Sequence, residues 1–172
     1  MRKIILVTHG ETEKDTPDPC LNERGKKQME EIKPFVQKLD YNFVVLGIGK
    51  RHREACDIII GRDRKIDFRS ELAGVSETLS SDGSSMIFAD GTRISIREYE
   101  RTRYRKLLQR IPIFLKKILT AKSIQGDVLI IGSRITAIGA GIAPQSVKSG
   151  HIYSIQLTST GKISINDYFS EK

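Results

Sequence analysis

His9 is the residue of this chain best placed to do chemistry. It closes the run Ile4-Ile5-Leu6-Val7-Thr8 and is followed by Gly10-Glu11. Such a short, β-branched apolar run reads as a strand buried on both faces. A histidine at its C-terminal tip lies on the edge where open α/β sheets bind ligands. A ligand-facing imidazole is one reading; a strand-end histidine bonded to a neighbouring carbonyl is the other. The other histidines, His52 and His151, lie too far along the chain for an HExxH-type zinc site. Cys20 and Cys56 have no metal-type spacing and are too few for a disulfide scaffold, so they read as two reduced thiols, and no metal site is expected. Gly47-Ile48-Gly49-Lys50 invites comparison with a phosphate-binding P-loop. It fails, because Val44 stands where the first glycine belongs and Arg51 where the magnesium-binding Ser or Thr belongs.

The elements around these residues follow from periodicity. Asn22 is placed as an N-cap, and Met29, Ile32, Val36 and Leu39 recur at helical spacing behind it, with Pro34 expected to bend or split that helix. Phe43-Val44-Val45-Leu46 reads as a second strand, Arg51 to Ile60 as a helix, and Asp127-Val128-Leu129-Ile130-Ile131 as a third strand followed by a glycine-bounded apolar segment, Ile135 to Ile142. Strands alternating with helices point to parallel pairing. Two hairpins interrupt the alternation: one across Asp90-Gly91, the other joining His151–Leu157 to Lys162–Tyr168. The serine-rich patch from Ser80 to Ser85 reads as a mobile loop. The expected fold is a single three-layer α/β/α domain over residues 1–172 with a mostly parallel sheet.

At 172 residues, 38% of them hydrophobic with 14 glycines besides, the chain has the composition of a globular domain and not of a disordered one. No apolar run approaches the roughly 18–20 residues of a membrane span, and the N-terminal apolar run is too short for a signal peptide. The expectation is a cytoplasmic protein with no membrane partner. The net charge of +8 is uneven: Arg97 to Lys122 holds nine Lys or Arg against Glu98 and Glu100. That cluster could meet an anionic partner or be the solvated face of an ordinary helix. Only Tyr99, Tyr104 and Phe114 are interleaved with it, which ranks nucleic-acid binding low, since single-strand binders offer several stacking platforms.

Taken in order, these pieces resemble the histidine phosphatase superfamily, which includes the cofactor-dependent phosphoglycerate mutases. That family opens with a strand ending in Arg-His-Gly-Glu and a helix starting Leu-Thr-x-x-Gly-x-x-Gln. Here the pieces read Thr8-His9-Gly10-Glu11 and Leu21-Asn22-Glu23-Arg24-Gly25-Lys26-Lys27-Gln28. The family's next segment, a strand followed by Ser-Pro-Leu-x-Arg-Ala-x-Gln-Thr-Ala, resembles Val44 to Cys56 and aligns its second arginine with Arg51. A stretch carrying the family's acid resembles Arg69-Ser70-Glu71-Leu72, with Glu77 a competing acid. The resemblance implies a phosphoglycerate mutase-like fold and a site with His9 as phosphoryl acceptor and Glu71 as proton donor. Arg51, Asn22, Ser133 and Arg134 are its candidate phosphate contacts, and no cofactor is implied.

The departures set the functional expectation. The family's first arginine is Thr8 here, and its second histidine falls at Ser133, in Ile131-Gly132-Ser133-Arg134. Neither His52 nor His151 ends a strand at that point. A phosphoryl-transfer transition state spreads charge over three equatorial oxygens, and losing one preorganised donor costs about 10²–10³ in rate. Arg134 and Arg53 are the guanidiniums near enough in sequence to compensate. The implied protein is a phosphomonoester hydrolase working without metal through a phosphohistidine at His9. The alternative is a catalytically impaired pseudoenzyme that binds a phosphorylated ligand or partner. Restoring both donors, Thr8→Arg with Ser133→His, is expected to raise activity. Substrate and oligomeric state carry no readable signal.

Overall fold

The computed structural model describes residues 2–16, 18–47, 49–61, 66–69, 78–80, 82, 84–87, 93–99 and 105–170. Among them a six-stranded sheet runs β3-β2-β7-β1-β8-β9, built from β1 (Ile4–Thr8), β2 (Phe43–Gly47), β3 (Ile66–Arg69), β7 (Val128–Gly132), β8 (His151–Leu157) and β9 (Ile163–Asp167). The first four strands in that order are parallel, and the C-terminal hairpin adds β8 and β9 antiparallel. A separate three-stranded antiparallel sheet holds β4 (Thr78–Leu79), β5 (Ser85–Ile87) and β6 (Arg93–Ser95). The expected hairpin pairs there, Ile87 against Arg93; its Asp90-Gly91 turn lies outside the described residues.

The pleat of β1 explains the layers. Ile4 and Leu6 face one apolar cluster with Ile111, Leu115, Val128, Ile130 and Ala137, whereas Ile5 and Val7 face another with Met29, Ile32, Val36, Ala55 and Ile59. Helices α4 (Arg105–Thr120) and α5 (Arg134–Ala140) cover the first face; α1 (Glu23–Val36) and α2 (Lys50–Ile60) cover the second, and the short α3 (Ile96–Tyr99) follows β6. All five residues of β1 and of β7 are buried, as a strand covered on both sides requires. No helix among the described residues is long and apolar enough to cross a membrane.

Several expectations change in detail. Pro34 does not split α1; the helix ends two residues later at Val36, leaving Leu39 beyond it. The segment after β7 is a helix, with Ala137 and Ala140 buried. Strand β3 was not anticipated. In the Ser80–Ser85 patch, expected to be mobile, residues 81 and 83 lie outside the described residues, while Ser80, Asp82, Ser84 and Ser85 are tied together between β4 and β5. There Asp82 accepts from Ser80 Oγ at 2.6 Å and from Ser84 N at 3.0 Å, which holds its carboxyl down at a pKa of about 2. Helix α4 buries Ile111, Phe114, Leu115, Ile118 and Leu119 while Arg110, Lys116 and Lys117 are exposed, so these charges of the basic segment lie on its solvated face.

Candidate active site

Three strand ends and one turn meet around His9. Its backbone N–H donates to the Gly132 carbonyl at 3.0 Å, which sets the end of β1 beside the β7–α5 junction. Its carbonyl accepts from Gly150 N at 3.0 Å, which fastens the turn before β8 to the same point. The main chain around the histidine is thereby held on both sides.

The start of α1 crosses under this point at backbone contact distance. A Cβ on Gly10 would lie 2.2 Å from the Gly25 carbonyl oxygen, and one on Gly25 would lie 1.9 Å from that of Glu11. The rest of the Leu-Asn-x-x-Gly-x-x-Gln stretch serves the same crossing. Leu21 is buried, Asn22 Oδ1 accepts from Gly25 N at 2.7 Å, and Gln28 Oε1 accepts from Glu11 N at 2.9 Å. Both glycines are therefore present for close approach. Gly25→Ala is expected to cost at least about 1–3 kcal/mol by overpacking, a fall of several degrees in Tm. A thermal melt within one degree of wild type would show that the crossing yields easily.

The next contribution comes from β2 and α2. Gly49, at φ +136°, precedes the helix, and Asp18 Oδ1 accepts from Lys50 N at 3.0 Å across the helix mouth. Glu54 Oε2 takes Leu21 N at 2.6 Å, tying the preceding loop to α2. In the first turn Arg51 is only 2% exposed and His52 is fully buried.

The His9 imidazole is partly buried, and its Nδ1 lies 2.7 Å from the Gly10 carbonyl oxygen. A carbonyl only accepts, so Nδ1 carries the proton and Nε2 keeps its lone pair. Burial first, then the positive charge of Arg51, and to a smaller extent that of Arg134, lower the pKa to about 3; the bond to Gly10 opposes them. At neutral pH the ring is uncharged, which a nitrogen nucleophile needs. The strand-end histidine is thus bonded to a neighbouring carbonyl, and that bond fixes the tautomer whose Nε2 is unprotonated.

Arg51 and Arg134 both act electrostatically on the His9 ring, and Arg134 opens α5 with an exposed side chain. Ser133 sits directly after the Gly132 carbonyl that binds His9 N, buried as the N-cap of α5, where its N–H donates to Thr136 Oγ1 at 3.2 Å. Asn22 is a frame residue: besides the cap, its Nδ2 donates to the Thr12 carbonyl at 3.2 Å. Arg53 is exposed on α2. Glu71 and Glu77 lie outside the described residues.

Two features were missed. His52 packs against His9 edge-to-face, ring centroids 5.0 Å apart and planes at 87°, so a second histidine does enter the site, from α2 and not from a strand end. The glycines at 47 and 49 were its only sequence signal. Thr8 is no vacancy either. Its buried hydroxyl donates to the Lys148 carbonyl at 2.8 Å and accepts from His151 N at 3.0 Å, clamping the turn whose Gly150 holds His9.

No family model matches the sequence, and no curated protein matches it. Solved structures do. YhfR from Bacillus stearothermophilus is 14% identical, with a TM-score of 0.68 over 98% of this chain and 96% of its own. The phosphoserine phosphatase of Entamoeba histolytica, in complex with 3-phosphoglyceric acid, is 15% identical, with a TM-score of 0.66 over 97% and 96%. The protein histidine phosphatase SixA, complexed with tungstate, is 12% identical, with a TM-score of 0.61 over 99% of each chain. Likeness of this extent at such low identity speaks for architecture. The chain has the phosphoglycerate mutase-like α/β/α fold that these structures share.

Proposed function

We propose that this is a divergent histidine-phosphatase-like protein whose His9 site binds the phosphoryl group of a small phosphomonoester and hydrolyses it slowly. The observation that carries the reading is the state of His9: neutral, with Nδ1–H committed to Gly10, Nε2 bare, and two guanidinium groups acting on it. In the first step Nε2 attacks phosphorus and the P–O bond to the leaving group breaks. That oxygen takes a proton from an acid, for which Glu71 is the candidate by resemblance. Water then attacks the phosphohistidine, the N–P bond breaks, and inorganic phosphate leaves. Arg51 and Arg134 carry the charge on the non-bridging oxygens, since planar guanidinium groups match them bidentately.

Slowness follows from the two positions that supply nothing. Thr8 spends its hydroxyl on the 148–151 turn, and Ser133 is a helix cap. Vanadate, a phosphoryl mimic, is expected to bind one per chain, and an aryl phosphate to turn over below about 1 s⁻¹, under the usual enzyme range. His9→Asn should remove the turnover. Because His9 stays neutral down to a pKa of about 3, the rate should show no inflection from this residue near pH 6.5. Absence of vanadate binding, or equal rates for wild type and His9→Asn, would refute the assignment.

A further inference from the structure

The contact between His9 and His52 is built by more than chance proximity. His52 lies in the first turn of α2, and its ring covers the end of β2. A Cβ on Gly47 would stand 2.9 Å from both Cε1 and Nε2 of that ring, and a Cβ on Gly49 would stand 3.3 Å from Nδ1. The two glycines form a seat that no larger residue would leave open. The ring has no accessible surface there, and it meets the imidazole of His9 edge-to-face. With its own surface fully covered, His52 can still bear on the site through the His9 ring it packs against.

His9 needs such a holder. Its described hydrogen bond is short-range, from Nδ1 to the carbonyl of the adjacent Gly10. The terminal torsion of a histidine is broad and roughly two-fold. A flip of the ring would put Cε1–H where Nε2 attacks and take Nδ1–H away from the Gly10 carbonyl. An aromatic edge against an aromatic face prefers a perpendicular geometry, and the 87° observed here meets that preference.

We propose that His52 is a positioning residue for the nucleophile: seated on Gly47 and Gly49, it packs edge-to-face on His9 and locks the orientation in which Nδ1–H binds Gly10 and Nε2 remains bare. This rests on the reading of His9 as phosphoryl acceptor. The locking itself is read from the ring without catalysis, so the two ideas can fail separately.

The test compares wild type, His52→Ala and His52→Phe by ¹H–¹⁵N correlation of the His9 ring nitrogens at one pH, with vanadate titration alongside. Wild type is expected to show one tautomer, protonated on Nδ1. His52→Ala should show averaged or doubled His9 nitrogen signals and bind vanadate about 10–10²-fold more weakly, as loss of orientation at a reacting group typically costs. His52→Phe keeps a flat ring without nitrogen and should restore the single tautomer and most of the affinity. If His52→Ala fails to fold, His52→Leu fills the seat without a ring and takes its place. A folded Ala or Leu variant whose His9 signals match wild type would overturn the proposal, as would a Phe variant no better than Ala. If the His9 signals respond as expected but wild type binds no vanadate, the positioning stands and the phosphatase reading falls.

Discussion

Arg51→Ala is expected to abolish binding of phosphate and vanadate at the His9 site. A hydrogen bond to a charged group contributes about 1.5–3 kcal/mol, and a guanidinium can make two in parallel. Losing the fork should weaken the anion by about 10²-fold or more, at 1.4 kcal/mol per decade. Arg51 is buried to 2% exposure in the first turn of α2, and Arg134 is exposed at the start of α5. The buried guanidinium works in lower dielectric and is screened less, so Arg134→Ala should cost less. Arg51→Lys keeps the charge without the planar fork and should fall between. Removing Arg51 also removes the second cause of the lowered His9 pKa, so that pKa should rise from about 3. Titration at pH 8 keeps His9 neutral in every variant and isolates the phosphate contact. Wild-type affinity in a folded Arg51→Ala would show that the anion, if bound, is held elsewhere.

The layout of the fold could be read because local patterns and tertiary demands agree. Five buried β-branched or leucine positions can only be a covered strand, and Asn22 caps the helix that its spacing to Met29, Ile32 and Val36 announces. Strand β3 escaped because Ile66-Asp67-Phe68-Arg69 is a four-residue edge strand with no continuous apolar run. The segment after β7 stayed ambiguous because a short apolar run between glycines suits either period. Around the candidate site, the places of residues tied to local motifs were legible: His9 at a strand tip, Arg51 at a helix start, Ser133 and Arg134 after a strand. What could not be read depends on contacts across long separations. Thr8 looked like a missing arginine because its role is a pair of bonds to residues about 140 positions away. His52 looked irrelevant because the histidine sought was the one after a late strand. Space for it is made by Gly47 and Gly49, and a glycine in a sequence does not say what fills the room it leaves.

That role for Thr8 changes what restoring the family pattern should do. Thr8→Arg with Ser133→His is sensible only if both positions are empty sites in an intact frame. Thr8 has no exposed surface, sits between Gly132 and His151 in the sheet, and holds the Lys148 carbonyl and His151 N–H through one hydroxyl. An arginine there loses both bonds and brings a cation into a packed position. Each orphaned buried group costs about 1–3 kcal/mol, and an unpaired buried charge several more. Thr8→Val removes the hydroxyl at nearly constant shape and should already cost about 1–3 kcal/mol; Thr8→Arg should cost more and loosen the turn whose Gly150 holds His9. Hydrolysis should therefore not rise in Thr8→Arg. Ser133 is different. Its Oγ lies 3.5 Å from Thr136 Oγ1 inside the cap of α5, so what its side chain holds is local to that first turn and not the long-range frame that Thr8 holds, and it follows the residue bonded to His9 N. Ser133→His alone is expected to raise aryl phosphate hydrolysis about 10-fold or more, by adding one transition-state donor. The double variant should be less stable than Ser133→His and no faster. Chemical denaturation and steady-state rates on wild type and the four variants decide the matter: a Thr8→Arg variant that is as stable as wild type and faster would mean that the turn is not clamped through Thr8 and that the position is open to the guanidinium after all.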